Sequence, residues 1–155
     1  APRGGFLPDG QVAILFERHK FSEYTRRRFD DTHPSISNRT PGGYIGGAAE
    51  HRRLQQAVAL DRDAALRATS WGRFQILGDN FRQAGFASVQ EFINAMHKSE
   101  RAQLDAFVNF IKADPVLLTA LRYKQWATFA RRYNGPRYAV NRYDIKLAEA
   151  YRRYA

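Results

Sequence analysis

Apolar residues recur along the second half of the chain at the spacing of buried helix faces. In SVQEFINAMHK, Val89, Phe92, Ile93 and Met96 stand at i, i+3, i+4 and i+7, which aligns them on one side of a helix. Ser88 followed three positions later by Glu91 forms a capping box at its start. Leu104, Phe107, Val108 and Ile111 repeat the spacing behind Ser99, a suitable N-cap. Asp114-Pro115 reads as an N-cap followed by Pro at the first helical position, opening a helix through Leu121. KQWATFARRY predicts a further short helix, stopped by Asn134-Gly135-Pro136. From Tyr138 to Tyr151, Val140, Tyr143, Leu147 and Tyr151 fall roughly on one face.

The first half is patterned differently. Residues 9 to 20 predict a first helix capped by Asp9, in which Ala13-Ile14-Leu15-Phe16 runs into Glu17 and then Arg18, His19 and Lys20. The next segment, DDTHPSISNRTPGGYIGG, is rich in Pro, Gly, Ser, Asn and Thr. It predicts turns joining short strands, a small β-hairpin region, or an ordered loop. Helix resumes near Ala48. The expected fold is a mainly α (α+β) domain with a small β region after the first helix, spanning residues 1–155.

Composition narrows the possibilities. The chain has 155 residues, 44% of them hydrophobic, enough for a core of ordinary size. No apolar run approaches the ~20 residues of a membrane span, and no secretory signal pattern opens the sequence. The start lacks Met, which suggests a trimmed or processed terminus or the edge of a larger modular protein. With no cysteine, Cys-based zinc sites and thiol catalysis are excluded. His19, His33, His51 and His97 show no metal-binding spacing, and TPGGYIGG lacks the Lys-Ser/Thr of a phosphate loop. No serine nucleophile elbow is present. No metal and no cofactor is expected. The net charge of +10, with Arg26-Arg27-Arg28 as its densest knot, favours polyanionic partners: nucleic acid, bacterial wall polymers or lipopolysaccharide.

Glu17 is the leading chemical candidate, although a helical Glu is ordinarily a solvated surface group. Here it follows an apolar run and precedes a Gly-rich region where a cleft could form. Desolvation at such a boundary disfavours a carboxylate's charge, the condition a general acid needs; neighbouring cations act in the opposite sense. In ATSWGRFQILG, Trp71 is a core or cleft residue. Gln75 must hydrogen-bond something if buried, either as a structural amide or on a cleft wall. In ARRYNGPRY, Asn134-Gly135-Pro136 is a helix stop on any reading; Tyr133 is either a core residue or, with the Asn134 amide, turns its hydroxyl to a cleft.

FERHKF, SWGRFQILG and RRYNGP, together with LDRDAAL, QEFINAMHKSERAQLDAFVNFI and YDIKLAEAYR, resemble the phage-endolysin N-acetylmuramidase family over nearly all of the chain. More distantly, the order Glu, Gln-Ile, Tyr-Asn-Gly is similar to goose-type lysozymes and soluble lytic transglycosylases. The resemblance implies a lysozyme-like fold of about seven or eight helices. It implies cleavage of the β-1,4 bond between N-acetylmuramic acid and N-acetylglucosamine in peptidoglycan, with Glu17 as the acid. It also implies a glycan cleft lined by Gln75, Tyr133 and Asn134, with Tyr44 and Trp71 as further substrate-binding candidates. Such enzymes often carry a separate wall-binding domain. Glycosidases commonly pair two carboxylates; Asp30 and Asp31 are the candidates for the second, and Glu50 another.

On this reading the protein is a monomer made in the bacterial cytoplasm and acting on the periplasm or wall during phage lysis. Peptidoglycan strands are its substrate, its basic surface meets anionic envelope polymers, and nucleic acid is not a partner. The rivals are a lytic transglycosylase using the same Glu to form 1,6-anhydromuramic acid, and a non-enzymatic nucleic-acid binder suggested by charge. Arg152 and Arg153 in the terminal helix suggest contact with outer membranes; a solvated helix end is the plainer reading.

Overall fold

The computed structural model describes residues 4–155. Among these the order is β1 (Ile14–Phe16), α1 (Arg18–Tyr24), α2 (Ala49–Leu60), α3 (Arg62–Arg67), β2 (Thr69–Trp71), β3 (Ile76–Leu77), α4 (Val89–Lys98), α5 (Glu100–Lys112), α6 (Pro115–Arg122), α7 (Trp126–Asn134) and α8 (Tyr143–Tyr154). The fold is mainly helical, with one three-stranded antiparallel sheet ordered β1-β2-β3. The chain divides into two compact units, Ala1–Asn109 and Phe110–Ala155.

In the first unit, Ile14, Leu15 and Phe16 pair with Trp71, Ser70 and Thr69, and Ser70 and Trp71 pair with Leu77 and Ile76. The residues expected in a helix from 9 to 20 therefore form a strand followed by a short helix. A short, fully buried apolar run fits either state. Here Val12, Ala13, Ile14 and Phe16 are all buried, and a partner strand more than fifty residues away decides in favour of β. Asp9 caps no helix: its carboxylate accepts the Gln11 N–H at 3.0 Å, beside Gly10 at φ +86°. A β-hairpin does follow α1, but it is built by β2 and β3 through the turn at 72–75. Residues 30–47 contain turns and bends without a strand, the ordered loop of the two expected forms.

The helices of α4 to α7 obey their local signals. Ser88 Oγ accepts the Glu91 N–H at 3.1 Å, and Val89, Phe92, Ile93 and Met96 are buried. Ser99 Oγ accepts from Ala102 at 3.0 Å. In the second unit, Asp114 accepts from Val116 and Leu117 with Pro115 at the first turn, and Gly135 closes α7 at φ +89°. α6 packs on α7 and α7 on α8. Leu117, Ala120, Phe129 and Ala130 are buried there, while α8 contributes no buried residue.

Candidate active site

Glu17 stands at the junction of β1 and α1, in extended conformation at the N-cap position. Its backbone is fixed on both sides: its N–H donates to Ala68 O at 2.9 Å, and its carbonyl accepts from Lys20 and Phe21, each at 3.0 Å. Its side chain makes no capping hydrogen bond and is 16% exposed. The Tyr44 hydroxyl donates to Glu17 Oε2. Burial, followed by the hydrogen bond to Glu17 and its charge, pushes the Tyr44 phenol up from its ordinary value, so Tyr44 keeps its proton and acts as the donor. From the other side His19 Nδ1 approaches Glu17 Oε2 at 3.6 Å; that nitrogen is buried and has no hydrogen-bond partner.

Two buried residues hold this junction. Glu50 is fully buried; it accepts from the backbone of Phe16 at 2.9 Å, Ile45 at 2.8 Å and Gly46 at 3.1 Å. Arg53 Nη1 donates to Glu50 at 2.8 Å and to Phe16 O at 3.1 Å, while Nη2 reaches Ser35 O at 2.9 Å. The guanidinium also lies 5.3 Å from the Phe16 ring centre. This pair ties the end of β1 to both ends of the polar loop that carries Tyr44. Burial works against Glu50's charge, but the three backbone donors and then Arg53 outweigh it and hold its carboxyl below the usual range.

The other carboxylates of the loop are differently placed. Asp30 accepts hydroxyl hydrogen bonds from Ser22 at 3.0 Å and Ser37 at 2.5 Å, one on each oxygen. Asp31 is exposed and lines a surface cavity with Asp30, Arg27 and Arg39. Trp71 is buried, its indole N–H donating to Leu66 O at 3.2 Å. Gln75, at φ +51°, donates its amide to Ala13 O at 3.3 Å and Gly72 O at 2.9 Å, stitching the β2–β3 turn to β1. In the second unit, Tyr133 lies against Phe129 and Phe110, with ring centres 5.6 and 5.8 Å away; burial pushes its phenol up. Asn134 is exposed at the end of α7.

The structure thus brings Glu17 and Tyr44 together, and adds His19 and Arg53, which no motif marked. His19 was visible only as one of three basic neighbours of Glu17. Arg53 lies in AEHRRLQQ, where two adjacent arginines on a polar helix read as solvated surface. Among the described residues no cluster of three or more His, Asp or Glu is placed to hold a metal ion, and no helix is long and apolar enough to cross a membrane.

Residues 2–155 match the model of the N-acetylmuramidase family, and the chain is a member of that family. Among solved structures it is similar to one titled as the crystal structure of the Burkholderia AP3 phage endolysin, at 47% identity and a TM-score of 0.90. That alignment covers 97% of this chain and 58% of the endolysin, so this chain spans little more than half of the endolysin's length. No curated protein matches.

Proposed function

We propose that this chain is a peptidoglycan-cleaving muramidase domain in which Glu17 donates a proton to the glycosidic oxygen between N-acetylmuramic acid and N-acetylglucosamine. Family membership supports the substrate class. The observation that carries the acid assignment is the side chain of Glu17, shielded yet reachable and held by groups a substrate can displace. Bond breaking leaves positive charge on the muramic acid ring as the leaving oxygen takes the proton of Glu17. The Tyr44 hydroxyl marks where a glycan hydroxyl or the glycosidic oxygen would approach. Gln75 acts through the backbone it orders, and Asp31 is the loop carboxylate with the fewest commitments.

Asp30 and Glu50 are engaged by hydroxyl and ion-pair partners, which reduces their capacity to activate water. That observation favours keeping a second reaction course in view, in which the muramic acid 6-hydroxyl closes a 1,6-anhydro ring. Mass spectrometry of released muropeptides distinguishes the courses, because the transglycosylase product is lighter by one water. The basic surface would favour approach to the anionic envelope, where the enzyme would act on the wall.

Glu17→Gln tests the assignment. The expected result is an unchanged circular dichroism spectrum with wall lysis reduced by at least about a hundredfold, the scale of a lost general acid. Lysis near the wild-type rate in a folded variant overturns it.

A further inference from the structure

A cavity of about 510 Å³ beside α1 is lined by His19, Ser22, Glu23, Arg26, Arg27 and Arg39, within the size range of small-ligand sites. A second cavity of about 450 Å³, also lined by Asp30 and Asp31, shares Arg27 and Arg39 with it, so these two arginines border both. Glu23 is engaged by Lys20 Nζ at 3.3 Å, and the Ser22 hydroxyl by Asp30. Among the described residues no carboxylate lies within ion-pair distance of Arg26, Arg27 or Arg39. Arg28, the third member of the same run, is different: it reaches Asp61 at 3.4 Å and lies 4.8 Å from the Phe29 ring centre. Arg26 and Arg27 occupy the left-handed region at φ +54° and +63°, where Gly or Asn would sit at lower cost. Three uncommitted guanidiniums around one concavity form a receptor for oxyanions, since each can clamp a carboxylate or phosphate through paired N–H groups.

The cavity lies next to the proposed acid. His19 lines it, and the same imidazole stands 3.6 Å from Glu17 Oε2. A muramic acid whose glycosidic oxygen meets Glu17 carries a lactyl arm that continues into a peptide stem with free carboxylates. We propose that the Arg26–Arg27–Arg39 cavity receives those stem carboxylates, making the domain selective for peptide-bearing glycan over bare glycan; this rests on the muramidase reading above. Phosphate-bearing envelope polymers offer similar oxyanions, and the cavity's place beside Glu17 favours the stem.

The test compares the wild-type chain with R26N/R27N/R39Q, in which Asn tolerates the two left-handed positions. Glycan strands with intact stems and the same strands stripped by an amidase are the two substrates. The expected kcat/KM ratio of stemmed to stripped strands is about ten for the wild type, one tenfold step of binding energy, and near one for the variant. R39Q alone, at an ordinary backbone position, should lower the ratio in part. Calorimetry with the free stem tetrapeptide should show salt-sensitive binding to the wild type that the triple variant loses, with inorganic phosphate bound more weakly. A ratio unchanged by the triple substitution, or phosphate bound as tightly as the tetrapeptide, overturns the proposal. If the wild type cleaves neither strand the muramidase reading falls, and the tetrapeptide titration still decides whether the cavity takes stem carboxylates.

Discussion

Replacing Glu50 with Ala would remove the acceptor for the buried Phe16 N–H and strand the charge of Arg53, whose side chain is only 5% exposed. Breaking a buried ion pair by deleting one partner costs about 3–5 kcal/mol. The buried Phe16 donor adds about 1–3 kcal/mol, whereas the exposed Ile45 and Gly46 donors can turn to water and add little. The expected loss is therefore about 4–8 kcal/mol, a large share of the ~5–15 kcal/mol that stabilises an ordinary domain. Urea denaturation followed by circular dichroism measures it. E50M/R53M, which leaves no unpaired charge, should recover much of the loss. The pH dependence follows from the direction of the shift. A folded-state value held below the unfolded one contributes stability that is fully present above the ordinary carboxylate range and is lost as pH falls through the folded value. The stability gap between wild type and Glu50→Gln should therefore be widest near neutrality and shrink below about pH 4. A Glu50→Ala cost under about 1.5 kcal/mol, or a gap that widens in acid, would refute the account of this pair as the clamp of the β1–α1 junction.

Tyr44→Phe removes the hydroxyl donor to Glu17 from a residue 44% exposed; kcat/KM for wall lysis should fall about three- to tenfold, the scale of one ordinary hydrogen bond, with the melting temperature unchanged. Gly78→Ala would place a Cβ 2.2 Å from the Leu66 carbonyl oxygen, and since backbone cannot swing aside, a cost of about 1–3 kcal/mol in urea is expected. Asp114→Ala deletes the cap of α6 and the 2.8 Å partner of Arg132; about 1 kcal/mol should be lost. The hydrogen bond from Arg132 holds the Asp114 carboxyl low, so this difference should also fade as pH drops through the folded value, as read by thermal melts across a pH series.

What the sequence discloses follows from how far apart the deciding residues lie. Ser88 with Glu91, and Asp114 with Pro115, determine helix starts within a few positions, so α4 and α6 are legible locally. The strand β1 is not, because a run such as Ala13–Phe16 becomes β only when Thr69–Trp71 lies alongside. The loop from 30 to 47 looks like hairpin material by composition, yet side chains take over the role a partner strand would play. Arg18 Nε donates to Thr40 O at 2.8 Å, Asn38 accepts from Thr40 at 2.9 Å, and Arg53 and Glu50 reach Ser35, Ile45 and Gly46. In the candidate site Glu17 stands out by adjacency, an acid at the end of an apolar run. The importance of Arg53 is invisible in one dimension, since burial separates it from the neighbouring surface arginines.

Glu17 also differs from the acidic and hydroxyl residues that precede α3, α4 and α6. Asp61, Ser88 and Asp114 each turn an oxygen onto an N–H of the helix they precede, which satisfies orphan donors. A carboxylate so used is held in its charged form by those donors and by the helix dipole. Glu17 occupies the same position before α1 and makes no such bond. Its main chain is instead secured through Ala68 on the N–H side and through Lys20 and Phe21 on the carbonyl side, with Glu50 and Arg53 holding Phe16 just before it, leaving the side chain to Tyr44 and His19. Backbone rigidity and side-chain availability are thereby assigned to different groups. That division suits the proposed acid, which would exchange its hydrogen-bond partner for an incoming oxygen without losing its backbone position, and it predicts that loss of the buried pair lowers activity as well as stability.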